Sequence, residues 1–242
     1  MDTILIKISG ELFAKPVNTE KASSQDDAFS VNKKLIENIC QQIKTVQQNF
    51  NVGIVIGGGN IWRGDVNGKQ LNLTEQSSHQ IGMIATIMNA IVLQNFLENS
   101  KIKTTHFSSF CCPQTARTIR QDKIKNALQK NECLIFSGGT GNPYFTTDTT
   151  AVLRALQIDA KLVLKATKVD GVYDSDPTTN KNAKILKTIS YEEMIKNNLK
   201  VMDLTAITLA KQHNLKIKVF NLFDEEAIIK VIRDENFGST VS

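Results

Sequence analysis

Lys7 interrupts an apolar run, Thr3-Ile4-Leu5-Ile6-Lys7-Ile8, and is followed at once by Ser9 and Gly10. A second apolar run, residues 52–56, empties into Gly57-Gly58-Gly59 and then Asn60-Ile61-Trp62-Arg63-Gly64. A third, residues 133–136, leads into Ser137-Gly138-Gly139-Thr140-Gly141-Asn142-Pro143-Tyr144-Phe145-Thr146-Thr147-Asp148. From residue 149 to 156 the pattern reads as the start of a helix. Glycines let a ligand come close to the backbone, and amides at a helix start favour anions. Lysine and arginine add positive charge, while the hydroxyls and Asp148 can orient a nucleotide or its phosphates. Each stretch alone also reads as an ordinary turn, which Gly, Asn and Pro satisfy. Three such strand ends opening on one rim of a parallel sheet, where ligands bind, are hard to explain by turns.

The elements that must position these residues alternate. Strand-like runs fall at 4–8, 52–56, 103–107, 133–136, 161–164 and 217–220. Val31, Leu35, Ile36, Ile39, Ile43 and Val46 keep one apolar face over four turns of helix. Residues 76–97 read as a second long helix with Ile84, Ile87, Met88, Ile91 and Phe96 in the core, and Met83 and Met88 as gap-fillers. Further helices are expected at 192–197, 203–213 and 225–232. This alternation predicts an α/β fold, a three-layer α/β/α sandwich with a mainly parallel central sheet. Residues 14–30 lack periodicity and read as a surface loop, and 167–184 as a second irregular segment. No linker or internal repeat divides the chain, so residues 1–242 are read as a single domain.

Composition narrows the class. The chain has 242 residues, 41% hydrophobic and 22% charged, which is ordinary for a globular protein. Its net charge of +5 is spread too thinly to argue for nucleic acid. No apolar segment reads as long enough to span a bilayer, and Met1 leads straight into a strand, so a cytoplasmic protein with no membrane partner is expected. Cys40, Cys111, Cys112 and Cys133 lack C-x-x-C spacing, and His79, His106 and His213 are scattered, so no structural zinc is expected. A Walker A loop is absent, and Gly57 to Gly64 does not match G-x-G-x-x-G, which weakens the P-loop and dinucleotide readings.

What does occur is an ordered set: Lys7-Ile8-Ser9-Gly10-Glu11, then Gly57-Gly58-Gly59-Asn60 with Arg63, then Gly139 through Asp148, then Leu164-Lys165-Ala166-Thr167-Lys168-Val169-Asp170-Gly171-Val172-Tyr173 with Asp176-Pro177. Residues 83–89 and 199–204 add two further segments. Nearly end to end, the chain resembles the amino acid kinase fold family and, within it, the bacterial uridylate kinases. The resemblance implies phosphoryl transfer from ATP to UMP with Mg²⁺ in a homohexamer built from dimers. It implies no protein metal site, the Mg²⁺ being held mainly by ATP phosphates. It also implies a chain whose first part, about 1–160, is mainly UMP-binding and oligomerising, and whose remainder, 161–242, is mainly ATP-binding.

Carried over by position, Lys7, Asp148 and Arg63 become the catalytic residues. Lys7, Ile8, Ser9, Gly10, Gly59, Arg63 and Lys165 would lie along the ATP phosphates, with Thr167, Tyr173 and Asp176 at its adenine and ribose. Gly58, His79, Thr140, Gly141, Asn142, Pro143, Tyr144, Phe145, Thr146 and Thr147 would form the UMP site. Lys7 also reads as a lysine reaching the sheet rim, Arg63 as a surface ion pair, Asp148 as a helix N-cap, Tyr173 as packing and Asp170 as a turn residue. Two departures stand out. Where the family usually has an aspartate bonding the UMP ribose, this chain has His79, which reads either as a ribose contact or as a bystander. The basic residues of the family's GTP pocket are missing from residues 94–99, which implies weak or absent GTP activation, whereas UTP inhibition through the UMP pocket remains compatible. Two rival readings stay open: another acceptor, such as carbamate or acetylglutamate, and a non-catalytic nucleotide-binding regulator.

Overall fold

A computed structural model describes residues 1–14, 31–199 and 201–242. In chain order it runs β1 (Asp2–Ile8), α1 (Gly10–Phe13), α2 (Lys33–Val46), β2 (Phe50–Ile56), α3 (Gly64–Gln70), α4 (Glu75–Asn99), β3 (Thr104–Ser108) and β4 (Arg117–Thr118). It continues through α5 (Gln121–Gln129), β5 (Cys133–Ser137), α6 (Thr147–Gln157), β6 (Leu162–Thr167), β7 (Val172–Tyr173), β8 (Ile185–Leu186) and β9 (Thr188–Ile189). The last elements are α7 (Tyr191–Lys196), α8 (Leu204–Gln212), β10 (Lys216–Asn221), α9 (Ala227–Arg233) and β11 (Ser239–Val241). The surface-loop expectation for 14–30 falls, apart from Ala14, outside the described residues.

Nine strands form one sheet in the order β4-β3-β5-β2-β1-β6-β10-β11-β9, and β7 pairs with β8 in a small antiparallel ribbon. Among the described residues of the large sheet only β10–β11 is antiparallel; the pairs flanking β1, to β2 and to β6, are both parallel. The expected parallel sandwich is therefore present. Its sheet is longer than the six strand-like runs, because β4, β9 and β11 are two or three residues long and carry too little alternation to read.

Two cores cover the two faces, and strand periodicity decides which side chain joins which. Ile4, Ile6 and Ile8 point to a core built with α2, α4 and α9. Leu5 points to the opposite core, built with α5, α6 and α8. Lys7, two residues on from Leu5, must share that second face. On β6, Leu164 and Ala166 belong to the first core and Val163 to the second, so Lys165 emerges beside Lys7. The two lysines are direct partners in the β1–β6 register.

The long helix α4 corrects two expectations. Ile84, Met88 and Ile91 are 49%, 43% and 42% exposed rather than core, and Ile87 and Phe96 are only half-buried. The buried side is instead Met83, Thr86, Asn89, Ala90, Leu93 and Leu97. Apolar residues sit all round this helix, so periodicity gives no direction, and polar Thr86 and Asn89 turn inward because they bind loop backbone. The helix is also long and apolar enough, by length and composition, to cross a membrane, which the sequence reading did not expect. It packs along one side against α3, β3 and β5, and 39% of its apolar window is buried. Val31, expected on α2, precedes the helix and pairs with Ala14 in an isolated bridge, while Asn32 caps α2.

Candidate active site

The C-terminal rim of the parallel strands gathers the expected residues. Asp148, in the first turn of α6, reaches between the two lysines. Lys7 Nζ lies 2.8 Å from its Oδ1 and Lys165 Nζ 2.5 Å from its Oδ2. Lys165 also donates to the Val201 carbonyl. The three side chains are only 7%, 8% and 15% exposed. Burial by itself would raise the Asp148 carboxyl, but the ammonium groups of Lys7 and Lys165 outweigh it and hold the group below the usual carboxylate range. Burial pushes Lys165 down to about 8, against the pull of Asp148 and with the Lys7 charge adding to the fall. Two cations thus share one anion, leaving an excess positive charge suited to phosphate.

Asp148 is not the N-cap of α6. Thr146 is: its hydroxyl oxygen accepts from the backbone N–H of Asp148 at 3.0 Å and of Thr149 at 3.3 Å. The Asp148 carboxylate is thereby free for the lysines. Thr146 Oγ1 in turn donates to Asp203 Oδ2 at 2.5 Å, and Thr149 Oγ1 to Asp203 Oδ1 at 2.9 Å. Asp203 caps α8 by accepting from Ala206 N–H at 2.9 Å. One carboxylate therefore ties the starts of α6 and α8 together. The sequence reading gave Asp203 no role, although an aspartate directly before a helical pattern is itself a capping signal.

The first two glycine stretches meet backbone to backbone. A Cβ on Gly10 would fall 2.5 Å from Gly59 N and 2.7 Å from Gly57 O, so only glycine lets these loops close on each other. Asn89 of α4 fixes the second loop, donating to Gly57 O and to Asn60 Oδ1, each at 2.7 Å. Ser9 begins α1 without using its side chain as a cap. Arg63 stands at the rim, its Nη2 3.0 Å from Glu11 Oε1 and its Nε donating to Gly59 O at 3.3 Å. Lys168 reaches the same carboxylate at 3.2 Å. Glu11, part of the opening motif but assigned no role from sequence, thus gathers two exposed cations at the mouth.

Two cavities open next to residues that touch the cluster, one at Thr147 beside Asp148 and one at Val201, which Lys165 bonds. One, of about 550 Å³, is lined by Gly58, Gly59, His79, Gly139 and Tyr144 through Thr147. It unites most of the expected UMP residues. Thr140 and Asn142 instead line a separate cavity of about 590 Å³ with Phe145 and residues of α6 and α8. Thr140 and Asn142 also bond each other, with Asn142 N–H donating to Thr140 Oγ1 at 3.1 Å. Gly141 and Pro143 line neither cavity; Gly141 supplies a positive φ of 85° for the turn. His79 Nδ1 accepts the backbone N–H of Tyr144 at 2.6 Å.

The other cavity, again about 550 Å³, brings together Thr167, Tyr173 and Asp176 with Gly171, Leu199 and Val201. Thr167 Oγ1 donates to Val169 O at 2.7 Å. Asp176 Oδ1 accepts from both the N–H and the hydroxyl of Thr178, at 2.9 and 2.7 Å. Asp170 accepts from Asn221 Nδ2 at 2.9 Å at the edge of this region. No group of three or more His, Cys, Asp or Glu among the described residues could hold a metal ion.

Comparison with known proteins agrees with this geometry. Residues 2–221 match the Amino acid kinase family. The uridylate kinase of Campylobacter jejuni is 42% identical over 98% of this chain and 96% of its own length. That of Mycoplasma genitalium is also 42% identical, over 95% and 90%. The crystal structure of UMP kinase from Ureaplasma parvum superposes with a TM-score of 0.90 at 35% identity, covering 100% of this chain and 98% of that one. The Bacillus anthracis UMP kinase structure gives 0.91 at 30% identity, covering 100% and 96%. With two lysines shared by one aspartate at the sheet rim, glycine loops closing on each other at that rim and relatives along its whole length, the chain belongs to the amino acid kinase family, in the branch that holds the uridylate kinases.

Proposed function

We propose that this protein transfers the γ-phosphoryl group of ATP to UMP, giving ADP and UDP. The observation that carries the reading is the buried Lys7–Asp148–Lys165 cluster at the sheet rim; one cavity reaches Thr147, next to Asp148, and the other reaches Val201, whose carbonyl Lys165 bonds. An oxygen of the UMP phosphate attacks the γ-phosphorus while the bond from that phosphorus to the β–γ bridging oxygen breaks, and ADP leaves with the bridging oxygen. This chemistry needs in-line positioning and positive charge more than covalent help. A UMP phosphate is already ionised at neutral pH, so no strong general base is needed.

Each residue then has work. Lys7 and Lys165 meet the moving phosphoryl group from the sheet, and Asp148 holds both ammoniums in place until phosphate arrives. Ser9, Gly10 and Gly59 offer backbone and hydroxyl to the ATP phosphates. Arg63 swings from Glu11 to the phosphates when substrate fills the mouth. Thr167, Tyr173 and Asp176 hold the adenosine. Gly58 and Tyr144 through Thr147 hold UMP, and Thr140 and Asn142 shape the loop from behind. Mg²⁺, held mainly by the ATP phosphates, would neutralise charge on them. The single domain divides by task, with residues 1–160 mainly binding UMP and 161–242 mainly ATP.

The exposed stripe of Ile84, Met88 and Ile91 on α4 supports self-association, and a hexamer of dimers is the assembly proposed. A cytoplasmic role in pyrimidine nucleotide biosynthesis, inhibition by UTP at the UMP site and weak or absent GTP activation complete the reading. The test is ADP release with Mg-ATP against UMP, CMP, dUMP, AMP, carbamate and acetylglutamate. UMP-selective turnover supports the proposal. Turnover on another acceptor replaces it, and tight nucleotide binding without turnover favours a regulator.

The depressed Lys165 predicts an alkaline limb. As pH rises through about 8, the free enzyme loses this ammonium, and kcat/KM for Mg-ATP falls. Bound phosphate favours the charged form, so the limb in kcat lies at higher pH. The sign for stability is opposite. An unfolded lysine holds its proton up to the ordinary value of 10.5, so between about 8 and 10.5 this group favours folding more as pH rises. The activity loss is therefore not melting caused by Lys165. Lys165→Arg, which stays charged, moves the limb to higher pH in kcat/KM profiles.

A further inference from the structure

We infer that His79 is a positioning residue that latches the loop of residues 138–147 to α4. The inference rests on the UMP reading only for its kinetic consequence. Four residues of this loop have positive φ: Gly138 at 75°, Gly139 at 58°, Gly141 at 85° and Tyr144 at 72°. Glycine adopts such angles freely, but a tyrosine does so only where something holds it. Packing does not hold Tyr144, whose side chain is 62% exposed. The hydrogen bond to His79 does: Tyr144 N–H donates to Nδ1 at 2.6 Å, and the two rings meet edge-on at 5.2 Å.

The other end of the loop is tied to the same helix. Gly138 N–H donates to Thr86 Oγ1 at 2.7 Å, and that buried hydroxyl passes its own hydrogen to Met83 O at 2.6 Å. His79 and Thr86 are seven residues apart, two turns on one face of α4. The loop that lines the acceptor cavity is thus strapped at Gly138 and again at Tyr144 to a single helix face.

The latch fixes the chemistry of the imidazole. A backbone N–H can only donate, so Nδ1 is the bare nitrogen and the proton sits on Nε2. With Nδ1 occupied, the ring has only one N–H donor left to offer. Unlike a carboxylate, it cannot accept from a substrate hydroxyl. Its effect on the acceptor therefore passes through Tyr144, Phe145 and Thr147, which line the cavity with it.

Asparagine places an oxygen near the position of Nδ1, whereas glutamine places its amide near Nε2, which makes the pair diagnostic. The experiment measures hydrogen exchange at the Tyr144 amide in the ligand-free protein, together with kcat and KM for UMP and for ATP, in His79→Asn, His79→Gln and His79→Ala. Losing one hydrogen bond is expected to speed exchange and raise KM for UMP by about five- to tenfold in the Ala and Gln variants, with smaller effects on kcat and on KM for ATP. His79→Asn restores most of both. Equal exchange in all forms overturns the latch, as does a Gln variant that performs better than Asn, which would mean direct substrate contact through Nε2. If the Ala variant does not fold, the Asn–Gln comparison decides. If the wild type does not turn over UMP, the functional reading fails while the exchange data still judge the latch.

Discussion

Lys7→Ala lowers kcat by about 10²–10³, measured at saturating UMP and Mg-ATP, while KM for UMP moves far less. The ammonium lies on the face of β1 that α6 covers, with a carboxylate 2.8 Å away and water almost excluded. A charge fixed in such a place costs no reorganisation when negative charge shifts on the transferring phosphoryl group. Its loss falls on the transition state more than on ground-state binding. Lys165 does not make up the loss, because its ammonium already meets the same phosphoryl group from its own place on the neighbouring strand β6. An equal loss in kcat/KM for ATP and in kcat marks this behaviour. A Lys7→Ala enzyme within threefold of wild type would remove Lys7 from the chemistry.

Asp148→Asn carries the second large effect, in both activity and stability. The variant leaves two buried ammonium groups facing a neutral amide. Removing one member of a buried ionic cluster costs about 3–5 kcal/mol, and the partial exposure of Asp148 places this case near the lower end. For a chain of this length that corresponds to a fall in Tm on the order of 10 °C. The deficit should narrow as pH rises, since Lys165 can then shed its charge and no longer requires a partner. Thermal melts at pH 7 and pH 9.5 test this directly, and a deficit that is constant across that range would show that the aspartate is not the counter-ion. Activity falls with it, because neither lysine is then aimed.

How far the chain could be read from its letters differs from element to element. β1 was legible because Thr3 to Ile8 is a dense apolar run ending in Ser9-Gly10, and that run also exposed Lys7 as an intruder. Asp148 was visible as a residue but its geometry was not. Three polar side chains in a row compete for the end of α6, and the cap went to Thr146 through its bond to Asp203, 57 residues away. The inward face of α4 was illegible since apolar residues surround it, and the deciding contacts are hydrogen bonds with distant glycines, Gly138 N–H donating to Thr86 and Asn89 donating to Gly57 O. Likewise the division of residues 140–147 between two cavities depends on the left-handed turns at Gly138, Gly139, Gly141 and Tyr144. Glu11 beside Arg63 is a contact across 52 positions, which no local pattern announces.

The register of β1 against β6 sets Lys7 directly opposite Lys165 in the middle of the sheet. A slip of one residue would send one lysine into the opposite core, so the spacing of the two charges is fixed by the ladder rather than by any loop. Central strands open only when the whole domain opens. The phosphate machinery is therefore as durable as the fold itself, and on heating it should fail in the same cooperative step as the sheet. The glycine loops above it are free to loosen earlier and to be remodelled for a different acceptor without disturbing the spacing of those charges.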